Sequence, residues 1–129
     1  MSQGETDLGL MLSTMSVGRR AGTFTYVSVT DPPPELLAVA QAIVTEEEST
    51  TLVLPVQTAE AAGLGVSVEL AWLTLEVHSS LEAVGLTAAV SARLAACGIA
   101  CNVIAGYHHD HLLVPVARAE EAVDALFSR

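Results

Sequence analysis

The chain contains no lysine: its five basic residues are all arginines, set against 15 acidic ones, for a formal net charge of −10 over 129 residues. A surface so composed has little with which to neutralise a row of phosphates, which argues against nucleic acid as a partner and against attraction to anionic membranes. Cysteine is nearly absent too. Cys97 and Cys101 stand four apart, matching neither a CxxC redox pair nor a zinc knuckle, and in a reducing compartment they read as small buried apolar residues. No apolar stretch approaches the ~20 residues of a membrane span, and the start has no basic segment followed by an apolar one. These absences lead to the expectation of a cytoplasmic protein. No GxSxG elbow is present either.

What remains is rich in aliphatic side chains. At 51% hydrophobic, the chain is able to bury a real core as one compact body or two small layers. Acid is shared along its length, eight acidic residues against Arg19 and Arg20 up to Leu64 and seven against Arg93, Arg118 and Arg129 beyond it, so no charged tail is set apart. Glu46, Glu47 and Glu48 make the one acidic run, read as a solvated hairpin.

In the first half, Leu8, Leu12 and Met15 fall at helical spacing over Asp7 to Met15. Gly18 to Gly22 reads as punctuation, and Thr23 to Val29 as a strand with Phe24, Tyr26 and Ser28 alternating against Thr25, Val27 and Val29. Pro34 suits the first position of a helix whose rhythm runs through Leu36, Leu37, Ala40 and Ile43. A hairpin closing near Glu48 and Ser49 joins Ala42-Ile43-Val44 to Thr51-Leu52-Val53-Leu54, with Pro55 at its end or at an edge. A short alanine-rich helical turn over Thr58 to Ala62 is stopped by Gly63 and Gly65, a joint between halves. The expected division is 1–66 and 67–129.

The second half carries the clearest pattern, LTLEVHSSLEAVGLTAAVSARLAACGIACNVIAGYHHDHLLVPV from Leu73 to Val116. Leu73, Leu75 and Val77 alternate with Trp72, Thr74, Glu76 and His78 as a half-buried strand. From Leu86 the period turns helical through Val90, Leu94 and Cys97, with Gly98 as the stop. Ile99, Cys101, Val103 and Ala105 alternate again. A hairpin at Tyr107 to Asp110 returns Leu112, Val114 and Val116, and a last helix turns Ala119, Val123, Leu126 and Phe127 inward. Two strands joined by one helix should lie parallel in one sheet. The order β-α-β-β-α is five sixths of the ferredoxin-like plan, so the fold class expected is α+β and the closing strand has to come from elsewhere.

The segment VHSSLEAVGLTAAVSARLAACGIACNVIAGYHHDHLLVPVARAEEAV closely resembles the C-terminal half of the small bacterial tandem ACT-domain proteins. In the first half, VTEEESTTLVL resembles the same family's acidic hairpin, followed by an alanine-rich turn ending in Gly63-Leu64. Ser49 departs from the pattern where a hairpin glycine is usual, and His108 where a second tyrosine is usual. The resemblance implies two ferredoxin-like ACT units with shared or exchanged strands, and a non-catalytic regulatory or sensor protein that binds an amino acid or similar small metabolite between units, without a cofactor. The positions it points to are His78, Ser79, Ser80, Val84, Gly85, Leu86 and Thr87 in the loop, and Cys101, Asn102, Val103 and Ile104 on the facing strand. A glycine at 85 allows close backbone approach, the N–H groups of Leu86 and Thr87 suit a carboxylate, and Asn102 offers a donor and an acceptor. An exposed sheet edge beside the helices leads to the expectation of a homodimer.

Other chemistry is weaker. His108-His109-Asp110-His111 is the one cluster of metal-ligating types, but on an extended chain His109 and His111 share a side while Asp110 points away. No metal is assigned there, and a polar hairpin is the simpler reading. His78 beside Ser79 or Ser80 is badly placed for proton exchange, since neighbours on a strand face opposite ways. Ser79-Ser80-Leu81-Glu82 reads instead as a capping box. An interaction module without ligand, or metal binding at the His108–His111 hairpin, is the alternative function.

Overall fold

The structure is a computed structural model that describes residues 15–76 and 85–127. Its elements are β1 (Ser16–Val29), α1 (Pro34–Val39), β2 (Ala42–Thr45), β3 (Thr50–Pro55), α2 (Val56–Ala61), β4 (Leu70–Glu76), α3 (Leu86–Ala96), β5 (Asn102–Ala105), β6 (Asp110–Pro115), a 3₁₀ turn (Val116–Arg118) and α4 (Ala119–Phe127). The order β-α-β-β-α occurs twice, as the ferredoxin-like plan requires. Two compact units result: one is Ala21–Leu70, and the other joins the chain before Ala21 to the chain from Ala71 onward.

In the Ala21–Leu70 unit the strand order is β2-β3-β1, with Phe24 opposite Pro55 and Val29 opposite Thr50 across β1 and β3, and Ala42 opposite Val53 across β2 and β3. Val27, Leu52 and Leu54 form its core with Leu36 of α1 and Ala59 of α2. Pro55 ends β3, which lies between β2 and β1 and is no edge. Pro34 does open α1, but the helix stops at Val39: Ala40 is extended, with φ −68° and ψ 137°, and Ile43 belongs to β2. Six residues are too few to propagate a helix against the pull of a strand ladder. Thr25, only 1% exposed, has a hydroxyl with no hydrogen-bond partner among the described residues. Thr25→Val is therefore expected to raise stability by about 1 kcal/mol in urea denaturation, because a buried unpaired polar atom is replaced by a methyl of similar shape. A loss of stability instead would show that the hydroxyl is bonded.

In the other unit the order is β1-β4-β6-β5. The strand that completes it is the beginning of β1, Ser16–Arg20, so β1 is shared between the two units. Gly18 and Gly22 lie inside that strand rather than punctuating a turn, because pairing partners outweigh a local glycine preference. β4 and β5 share a sheet, with β6 between them and antiparallel to β5. Ala71, Leu73, Leu75, Leu112 and Val114 pack against Leu86, Val90 and Leu94 of α3 and Ala119, Ala122, Ala125 and Leu126 of α4. Met15 joins this core; the rest of the expected helix over Asp7 to Met15 lies outside the described residues.

Two inward expectations and one strand boundary fail. Cys97 is exposed, since α3 ends at Ala96 and Cys97 is already its C-terminal cap; Phe127, at the last turn of α4, is 49% exposed. The strand expected from Ile99 begins only at Asn102. Gly98 closes α3 as expected, and Arg118 reinforces that end by donating to the carbonyls of Gly98 (2.7 Å) and Cys97 (2.9 Å) while holding Glu121. A cation at a helix C-terminus meets the negative end of the dipole.

Candidate functional site

Gly85 stands immediately before α3 with φ 95° and ψ −9°. That left-handed conformation costs glycine nothing and any side-chain-bearing residue roughly 1 kcal/mol or more. It turns the chain so that the first amides of an 11-residue helix emerge together, and no side-chain hydrogen bond among the described residues caps them. Leu86 sends its side chain into the core. Thr87 does the opposite with its hydroxyl, donating to Asp110 Oδ2 across 3.0 Å in a half-buried setting.

Asp110 is the residue that sequence reasoning missed. In sequence it groups with the histidines, yet the alternation of Asp110, Leu112 and Val114 along β6 puts it on the same face as the two buried residues that pack on α3. Extending that period by one position would have found it. The site thus joins the positive end of a helix dipole to a carboxylate, two groups that suit the two ends of a zwitterion.

The facing strand is placed differently. Asn102 pairs with Leu113 and Ile104 with His111, whereas Ala105 pairs with Asp110. Directly opposed residues share a face, so Asn102 and Ile104 lie on the sheet side away from α3, and Asn102 is three residues, roughly 10 Å, along the strand from the Asp110 end. Val103, opposite Leu112, shares the helix side. Cys101 precedes the strand, packed against the core, and burial pushes its thiol pKa up, which makes it unreactive. Gly85, Leu86, Thr87 and Asp110 are brought together; Asn102 and Ile104 are not added to them. His78, Ser79, Ser80 and Val84 lie outside the described residues, as does the capping box Ser79 to Glu82.

The histidines of the hairpin diverge. His108 and His109 are exposed, His108 against Tyr107 at 4.9 Å between rings. His111 turns to β4, where its Nδ1 is occupied by Trp72 and Thr74. Among the described residues, no three groups of metal-ligating type converge, because a tight hairpin sends successive side chains to opposite faces. No helix among the described residues is long and apolar enough to cross a membrane.

Comparison with known proteins places this geometry. Profiles of the ACT domain match residues 3–71 and 67–128. The chain is 42% identical to a structurally solved Vibrio cholerae protein of unknown function, characterised as a possible transport protein, over 96% of each chain with a TM-score of 0.87. Aspartokinase alpha and beta subunits share the fold at 16% identity, over 86% of this chain and 94% of theirs, with a TM-score of 0.61. Aspartate kinase from Clostridium acetobutylicum shares it at 10% identity, over 88% of this chain and 33% of that enzyme, with a TM-score of 0.62. No curated protein matches.

Proposed function

The chain belongs to the ACT-domain family, as two such domains in tandem, and we propose that it is a non-catalytic regulatory protein that binds an amino acid or similar small zwitterion at the start of α3. ACT domains are regulatory modules, which supports sensing over turnover. The observation that carries the reading is the Asp110 carboxylate bonded to Thr87 in the first turn of α3, behind the left-handed Gly85. A carboxylate on the ligand accepts from the amides of Leu86 and Thr87, and its ammonium donates to Asp110. A simple carboxylic acid would meet Asp110 as a like charge, and a simple amine would leave the amides unused.

We place the joint between domains at residues 66 and 67, and propose a cytoplasmic homodimer. The open strands β2 and β5 carry exposed Ile43, Val44 and Val103, unpaired apolar edges of the kind that recruit a second chain. Light scattering showing a monomer at high micromolar concentration would remove the dimer from this reading.

Thermal shift against the twenty amino acids tests the ligand. A specific one at about a hundred times its dissociation constant adds about 2.7 kcal/mol of stability. Asp110→Asn and Gly85→Trp are expected to abolish the shift, and Asn102→Ala to leave it in place. If no amino acid moves the melting point, the sensor reading fails. If Asn102→Ala alone abolishes the shift, the pocket belongs on the other face of the sheet.

A further inference from the structure

Trp72 is the one tryptophan of the chain and is 2% exposed. Its indole Nε1 donates to His111 Nδ1 across 3.1 Å, and the Thr74 hydroxyl lies 2.9 Å from the same nitrogen. An indole N–H has no lone pair to offer. Nδ1 must therefore carry no proton, the imidazole is neutral with its hydrogen on Nε2, and Thr74 is a second donor to one acceptor. The carbon at the centre of the Arg20 guanidinium stands 4.0 Å from the centre of the Trp72 ring, on the same cluster. Protonating His111 puts a hydrogen on Nδ1, where the indole N–H already points, and both contacts are lost in their present form.

Among the described residues, the charged and titratable groups around this ring come from three elements. β1 contributes Arg20. β4 contributes Glu76, two residues past Thr74 on the same face, its Oε2 accepting from Ser16 Oγ at 3.4 Å. The hairpin and β6 contribute His109 and Asp110, the latter turned to Thr87. Burial is the strongest influence and opposes the imidazolium; Arg20 and His109 oppose it as well, and Asp110 alone favours it, so the pKa of His111 is held below its ordinary 6.5.

We propose that His111, Trp72 and Thr74 form a proton-released latch, in which neutral His111 adds a side-chain tie to the β4–β6 pairing and its protonation releases that tie at the end of the β5–β6 hairpin that carries Asp110. Because the pKa is depressed in the closed form, the opened form binds the proton better. The latch holds fully above pH 6.5 and is lost as pH falls through the lowered value. Asp110 is the next residue on β6, so acidification also loosens the carboxylate beside α3. The latch itself needs no ligand, and it stands or falls apart from the sensor reading.

Trp72 reports on it directly, since a protonated imidazole against an indole quenches emission. Titrating the intact protein from about pH 8 to pH 5, we expect a reversible change in Trp72 fluorescence with its midpoint below 6.5 and the far-ultraviolet circular dichroism unchanged. The change should vanish in His111→Asn, whose amide oxygen accepts from the indole without titrating, and persist in His108→Asn and His109→Asn. Should His111→Asn fail to fold, the ring-proton NMR titration of the unaltered protein decides: one histidine is expected to titrate below the ordinary range. Constant Trp72 emission across this window, a transition that survives in folded His111→Asn, or four histidines all titrating at or above 6.5 would overturn the proposal.

Discussion

Leu75→Ala is expected to cost about 2–5 kcal/mol of stability. Leu75 is 1% exposed, on the face of β4 that meets Val90 and Leu94 of α3 and Leu126 of α4. Truncation loses the transfer free energy of the buried methyls and leaves a cavity that close-packed neighbours fill only in part. Urea denaturation followed at Trp72 reads the unit that contains both residues. Tyr107→Ala, at a position 80% exposed in that same unit, supplies the contrast and should change stability by no more than about 0.5 kcal/mol. Equal losses in the two variants would mean that the core does not lie under α3 and α4.

Gly106→Val is the other large effect, expected at about 1–3 kcal/mol. A Cβ at this position would come within 2.8 Å of the His109 carbonyl oxygen and 3.0 Å of His111 Nε2. The first of these is backbone, and Gly106 N–H already bonds to it at 2.9 Å to close the turn, so relief requires opening the turn. Opening it moves His111 off Trp72. The variant should therefore change Trp72 emission at neutral pH as well as lowering the urea midpoint, whereas Gly65→Ala, with open space around the glycine, should do neither. Unchanged emission in Gly106→Val would separate the turn from the contact beneath it.

Much of the architecture is legible along the chain because local signals and tertiary demands agree. Leu86, Val90 and Leu94 at four-residue spacing announce α3, and all three are buried. Pro34, Gly63 and Gly98 mark helix ends that the structure keeps. The acidic hairpin is legible because Glu46 to Ser49 separate two β-rich runs. Where signals and demands conflict, the sheet prevails: Gly18 and Gly22 are drawn into a 14-residue strand, and Ile43 leaves a helical rhythm for β2.

The site shows the same division. Gly85 ahead of an apolar helical period is a local feature, readable as the start of α3, whereas its left-handed conformation is not. Asp110 and His111 are not local. Adjacent on β6, they serve opposite faces, one at α3 and one at Trp72, and in sequence they look like a single metal-ligating cluster with His108 and His109.

The residue pattern alone therefore determined most elements and their order, and in the second half the β-α-β-β-α plan with its missing closing strand. Only the tertiary structure decided that the start of β1 fills that gap, that β6 lies between β4 and β5, and which carboxylate stands before α3. The reason is physical: periodicity records which face of an element leaves water, while strand neighbours and charge partners depend on contacts between residues far apart along the chain, whose identity no local period encodes.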